Sequence, residues 1–191
     1  MRIVSGFLKG KKIDYLKSTA TRPLRDYVKE NIFNIIRHSN LIKLNLEKAN
    51  VLDLYSGVGS FGIECISRGA RKTTFVEDNS KTLIILKKNL NNLKIENQSE
   101  VFNTKITTFL NRLNNKDKYE IIFMDPPFAE NFFIKELQII KDSMIYKKEH
   151  LIIIHREKRA DDNLDKIINI FLTKSYGRSK VIFGCFKLNT S

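Results

Sequence analysis

The apolar run Tyr119-Glu120-Ile121-Ile122-Phe123-Met124 ends on Asp125, Pro126, Pro127 and Phe128. A carboxylate, two prolines that lack N–H donors and a large ring place hydrogen-bond acceptors beside a flat apolar surface. An exocyclic amine on a heteroaromatic base suits that set. Its lone pair is delocalised into the ring, so it attacks an electrophile poorly unless acceptors orient it. With Asp125 and the carbonyl of Pro126 taking its two N–H groups, the nitrogen is aimed and the positive charge developing on it is stabilised. Phe128 offers a ring for the base to stack on. The plain alternative is a strand stopped by proline, with phenylalanine tucked into the core.

A second set precedes it. Gly57-Val58-Gly59-Ser60-Phe61-Gly62 is a G-x-G-x-x-G run that follows a strand and opens a helix. Such glycines allow positive φ and close ligand approach, and the helix start offers unpaired N–H donors. Glu77 ends the next strand 20 residues after Gly57, where an acid accepts hydrogen bonds from ribose hydroxyls. A dinucleotide and S-adenosylmethionine both fit this much. Asp53, four residues before Gly57, favours the second, because its carboxylate suits an ammonium and a sulfonium and repels a pyrophosphate. Its plain alternative is a cap on the following turn. Asp78 is a further acid for the ribose or the adenine edge.

The elements around these residues alternate. Strands are expected at 51–54, 73–76, 100–103, 119–124 and 151–155, with helices at 60–68, 80–92, 107–113, 132–142 and 162–168, and two last strands near 171–175 and 181–187. This is an α/β, doubly wound, Rossmann-like pattern with helices on both faces. Asp125 then lies at the carboxyl end of its strand, where open α/β sheets bind ligands, so it and the glycine turn should share one crevice. Gly69 sits where a helix needs its C-terminal stop, and Tyr176-Gly177-Arg178-Ser179 reads as a hairpin turn. Ahead of the sheet, Gly6 and Gly10 flank Lys9, with Lys11 and Lys12 following, in a basic extension or hairpin. A helix with Val28, Ile32, Ile35 and Ile36 on one face follows Thr21-Arg22-Pro23, and Arg22, Arg25 and Lys29 decorate its start. The expected division is a basic N-terminal part, 1–40, and a catalytic domain, 41–191.

The 191 residues carry 34 Lys and Arg against 21 Asp and Glu, a net charge of +13. Residues 1–50 alone hold net +7. That density attracts polyanions, nucleic acid first. Lys outnumbers Arg 24 to 10 and Asn occurs 18 times, so part of the charge follows composition. Cys65 and Cys185 lack metal-ligand spacing, and no metal is expected. Without a secretory leader or an 18-residue apolar run, the chain is expected to be soluble, cytoplasmic and away from membranes.

Asp53-Leu54-Tyr55-Ser56-Gly57-Val58-Gly59, Glu77 and Asp125-Pro126-Pro127-Phe128 resemble the motifs of class I S-adenosylmethionine-dependent methyltransferases acting on base amines. Met1-Arg2-Ile3-Val4-Ser5-Gly6, Lys9-Gly10-Lys11-Lys12, Thr21-Arg22-Pro23, Asp26 and Phe33-Asn34-Ile35-Ile36 narrow the resemblance to the RsmD family, bacterial small-subunit (16S) rRNA guanine-N2 methyltransferases. The resemblance implies a seven-stranded, mostly parallel sheet with a C-terminal antiparallel hairpin, and S-adenosylmethionine as methyl donor. It implies as substrate a guanine, 966 in the family's rRNA, in a partly assembled small ribosomal subunit, approached by a monomer. Asp53, Tyr55, Gly57, Gly59 and Glu77 are then expected at the cofactor, with Asp78 and Asn103 beside it, and Asp125 to Phe128 at the guanine. Arg22, Arg25, Lys9, Lys11 and Lys12 are expected on RNA. The chain departs from the family at Leu24, Val58 and Lys105; the last leaves adenine recognition to backbone groups or Asn103.

Other readings are an adenine-N6 DNA methyltransferase, another RNA guanine-N2 methyltransferase, a non-catalytic RNA-binding module and a dinucleotide-dependent oxidoreductase. The motif at Asp125 does not itself choose the base. A pure binding module has no need of Asp125, both prolines and the glycine turn together, and no proton donor for hydride chemistry stands out. His38, His150 and His155 lack triad or metal spacing and are expected at the surface or at strand ends with no catalytic role. The charged run His155-Arg156-Glu157-Lys158-Arg159 reads as a solvated loop.

Overall fold

The computed structural model describes residues 1–16, 24–113, 118–127 and 131–187. Arg22 and Phe128, both expected at the substrate, lie outside the described residues. The strands are β1 (Asn50–Leu54), β2 (Lys72–Glu77), β3 (Ser99–Asn103), β4 (Tyr119–Met124), β5 (Tyr146–Glu157), β6 (Ile168–Tyr176) and β7 (Ser179–Phe186). They form one seven-stranded sheet in the order β3-β2-β1-β4-β5-β7-β6. The pairs from β3 to β5 are parallel, and β7 runs antiparallel to both β5 and β6. This is the expected α/β architecture, and the strand order reverses between β1 and β4, where such sheets open a ligand crevice.

Burial explains the central strands. Val51 to Leu54, Ile121 to Met124 and Leu151 to Ile154 are buried along their whole length, as parallel strands covered on both faces must be. Helices α1 (Asp26–His38), α2 (Ser60–Ser67) and α3 (Ser80–Leu93) cover one face, where Phe61 stacks between Phe33 and Phe123. Helices α4 (Ile106–Leu110) and α5 (Phe133–Ser143) cover the other, packing Phe109, Phe133, Leu137 and Ile140 on Leu52, Ile122 and Ile152.

The N-terminal segment folds back on itself through an Arg2–Lys12 bridge and buries Ile3, Leu8 and Ile13 against α2 and α3. Glu64 of α2 accepts from Val4 N at 2.8 Å and Ser5 N at 2.9 Å. Lys29 departs from its expected place at the helix surface, since it is 0% exposed. Its Nζ donates to Arg2 O at 2.9 Å and lies 3.6 Å from Glu64, which is also 0% exposed. The pair thus ties the basic segment to α1 and α2, and removing one partner of such a buried pair costs about 3–5 kcal/mol.

Two boundaries differ in kind. The helix expected at 162–168 is a single 3-10 turn, Leu164–Lys166, because Asp162 is engaged by Arg156 and Asn163 is left-handed at φ 46°. Leu164 and Ile167 turn into the core instead, and β6 begins at once. β5 starts earlier than expected because its charged segment, Lys147 to Glu149, is exposed and extends past a register irregularity in the pairing with β4.

Candidate active site

The turn after β1 is left-handed at three positions, with φ of 57° at Tyr55, 55° at Gly57 and 86° at Gly59. Tyr55 is the one that pays steric strain. Its hydroxyl donates to Glu136 Oε2 at 2.6 Å, and Glu136 is buried in α5. Tyr55, expected at the cofactor, is therefore anchored to α5 while its backbone shapes the turn. At Gly57 an added Cβ would meet open space, which leaves room for a ligand. At Gly59 it would lie 2.5 Å from Leu86 Cδ1, so a side chain there must displace that buried leucine and also adopt a left-handed φ that favours glycine.

Glu77 stands at the carboxyl end of β2 and braces the same turn. Its Oε2 accepts from Gly57 N at 2.8 Å and its Oε1 from Asn79 N at 2.8 Å. The carboxylate keeps acceptor capacity beyond its backbone bonds, which suits a ribose hydroxyl. Burial pushes the Glu77 carboxyl above its usual range, and those backbone bonds oppose the shift. Asn103 is level with Glu77 on the neighbouring strand and exposed, as is Asp78. Asn89 joins the turn to the N-terminal hairpin: it donates to Val58 O at 3.1 Å and Asp14 O at 3.0 Å.

Asp53 is 1% exposed, with Oδ2 accepting from Gly62 N at 2.9 Å. One oxygen thus does cap α2, whose own N-cap, Gly59, has no side chain to do so. The other, Oδ1, is buried without a partner among the described residues. Burial, then Asp125 and Glu77, raise the carboxyl well above its usual range against the Gly62 bond. A buried carboxyl oxygen left unpaired beside a glycine turn suits a cationic ligand group, and with Glu77 and the space at Gly57 these acceptors have the chemistry to hold S-adenosylmethionine.

Asp125 lies one residue beyond β4. Because Asp53 pairs with Phe123 and Leu54 with Met124, the ends of β1 and β4 bring Asp125 to the crevice of the glycine turn. Pro126 is buried and Pro127 exposed. The Asp125 side chain is 23% exposed and its Oδ1 is 2.9 Å from His155 Nδ1. This corrects the expectation of a surface or strand-end residue, since His155 is buried within β5 and against Asp125. Met124 pairs with Ile154, so His155 is the next residue out, level with Asp125. The other histidines are elsewhere: His38 is exposed on α1, and His150 accepts from Phe186 N at 2.8 Å.

Arg156 is a second correction, being 1% exposed and no part of a solvated loop. It donates to Asp162 at 3.0 and 2.9 Å, to Pro127 O at 3.0 Å and to Asn131 Oδ1 at 3.3 Å. A signal for both residues was present: Ile121-Ile122-Phe123-Met124-Asp125 and Leu151-Ile152-Ile153-Ile154-His155 each run four apolar residues into a titratable one. Lys9, Lys11, Lys12 and Arg25 are exposed, the lysines on the hairpin and Arg25 at the start of α1.

Residues 1–185 match the family model described as conserved hypothetical protein 95. The chain is 34% identical over 159 residues to ribosomal RNA small subunit methyltransferase D of Haemophilus influenzae, covering 83% of this chain and 79% of that one. It is 36% identical over 157 residues to the protein of the same name from Buchnera aphidicola subsp. Acyrthosiphon pisum, covering 82% and 78%. The solved structure of the Escherichia coli yhhF protein superposes with a TM-score of 0.83 over 99% of both chains at 24% identity, a likeness of fold.

Proposed function

Because the chain belongs to the conserved hypothetical protein 95 family, the family of RsmD, we propose that it methylates the exocyclic N2 of a guanine in small-subunit ribosomal RNA, with S-adenosylmethionine as donor. The observation that carries the reading is the meeting of Asp125, held by His155, with the glycine turn and the orphaned Asp53 in one crevice. Guanine 966 of that rRNA is the nucleotide the family resemblance favours.

Asp53 Oδ1, the amides of the glycine turn and Glu77 would hold the donor, with Asp78 and Asn103 at its adenosine end. Bound there, S-adenosylmethionine supplies a methyl group made electrophilic by its sulfonium. Asp125 and the carbonyl of Pro126 accept the two N–H groups of the base amine and aim its lone pair. Pro126 and Pro127 have no N–H to compete for those acceptors. As charge develops on the nitrogen, the Asp125 carboxylate stabilises it. The target base must leave its stack, a cost of a few kcal/mol that stacking on Phe128 would partly offset. Residues 1–40, with Lys9, Lys11, Lys12, Arg22 and Arg25, contact phosphates, and the enzyme works as a cytoplasmic monomer on a partly assembled subunit.

The test is methyl transfer from labelled S-adenosylmethionine to small-subunit rRNA, naked and partly assembled, with mass spectrometry of the product nucleoside. N2-methylguanosine is expected, and N6-methyladenosine or no product counts against the reading. Asp125→Ala should abolish transfer while leaving S-adenosylmethionine affinity nearly intact; transfer that survives it sinks the mechanism.

A further inference from the structure

We propose that His155 and Arg156, successive residues of β5, are positioning residues that hold the Asp125-Pro126-Pro127 strand end in its reactive geometry. The inference rests on the methyl-transfer reading above. Successive strand residues point to opposite faces of a sheet, so the two side chains reach the end of β4 from its two sides. On the α1 side, His155 Nδ1 lies 2.9 Å from Asp125 Oδ1. A carboxylate only accepts, so Nδ1 carries the proton, and the bond fixes the carboxylate plane while leaving Oδ2 for a base amine.

On the α5 side, Arg156 is gripped by both oxygens of Asp162, itself 6% exposed, and lies 4.6 Å over the Phe133 ring. Its remaining donors go to Pro127 O and Asn131 Oδ1. Those contacts pin the chain on its way out of the strand end and again at the approach to α5. Burying the ion pair is a poor way to stabilise a fold, because well-packed apolar residues of similar volume serve as well or better. What an apolar pair cannot supply is a guanidinium fork that clamps Pro127 and Asn131 in one plane. Likewise an aliphatic residue at 155 would continue the Leu151 to Ile154 run without loss of packing, but without a donor for Asp125.

The experiment compares the wild type with His155→Leu, His155→Gln, Arg156→Lys and the paired Arg156→Met/Asp162→Leu. Three quantities are read: thermal unfolding, S-adenosylmethionine affinity by calorimetry, and kcat and KM for rRNA. Expected are folded proteins with unchanged cofactor affinity and KM, and a kcat lowered ~100-fold in His155→Leu and in the Arg156 variants, the scale of a misplacement near 1 Å. His155→Gln, which keeps an N–H donor, should recover part of the loss. Hydrogen exchange at Asp125, Asn131 and Phe132, measured without RNA, should be faster in His155→Leu and Arg156→Lys. Exchange and kcat that both match the wild type overturn the inference, as does a loss explained wholly by cofactor affinity. A wild type that methylates no RNA while the variants still show faster exchange fails the functional reading and leaves the positioning intact.

Discussion

Replacing Asp53 by Asn separates the two tasks of its oxygens. Oδ2 caps α2 through Gly62, while Oδ1 is buried without a partner among the described residues. An unsatisfied buried polar atom costs about 1–3 kcal/mol, and more when charged. Asn keeps an acceptor for Gly62 N and carries no charge, so Asp53→Asn should be more stable than the wild type by about 1–2 kcal/mol at pH values where the native wild-type carboxyl is ionised. For a chain of this size that is about 2–4 °C in Tm per kcal/mol. The sign of the pH dependence follows from the raised carboxyl. Between the ordinary carboxylate value and its own higher one, the native state holds a proton that the unfolded chain has lost, so wild-type stability falls as pH rises through that interval. The variant lacks this loss. The stability gap should open across the interval and stay constant above it, whatever the other carboxylates do, because they are common to both proteins. Binding should move the other way: losing one charge-assisted bond of about 1.5–3 kcal/mol weakens S-adenosylmethionine about 10- to 100-fold. Urea titrations at a series of pH values and calorimetric titration of the cofactor read both effects. A variant less stable than the wild type at every pH refutes the desolvation argument, and one that binds S-adenosylmethionine undiminished refutes the role given to Oδ1.

Gly59→Ala should destabilise the fold by about 1–3 kcal/mol, because a left-handed φ of 86° is strained for alanine and its Cβ would sit 2.5 Å from Leu86. Gly57→Ala meets no atom, so it should cost only the conformational strain of about 1 kcal/mol in denaturant titrations while weakening cofactor binding more than Gly59→Ala does. The triple change Lys9→Ala, Lys11→Ala and Lys12→Ala should weaken RNA binding and flatten its dependence on salt, by about one in the log–log slope for each phosphate contact removed. A slope equal to that of the wild type counts against the hairpin as an RNA surface.

Much of the sheet was legible because local periodicity reports which side of an element is buried. The apolar runs at Val51, Ile121 and Leu151 announced central parallel strands, and Gly57 to Gly62 announced the turn between β1 and α2. Asp125 was legible for a simple reason: prolines stop a strand, so the acid before them had to stand at its carboxyl end. Lys29 and Arg156 were misjudged for the converse reason. A charged side chain reads as solvated unless its partner is known, and Glu64 and Asp162 become partners only through packing. The helix expected at 162–168 failed on the same point, since Asp162 had a use that no local pattern displays.

The residues of the chain therefore determined which chemistry is available, through an acid before two prolines, a glycine turn and an acid after β2, and how the elements alternate to carry them. The tertiary structure alone decided the company each group keeps. Register between β4 and β5 set His155 against Asp125, and the fold of α1 on α2 buried Lys29 beside Glu64. Such pairings follow from contacts between segments far apart in the chain, and the free energy that selects them is collective: it belongs to the packed sheet and its two helical layers, and no window of the sequence contains it.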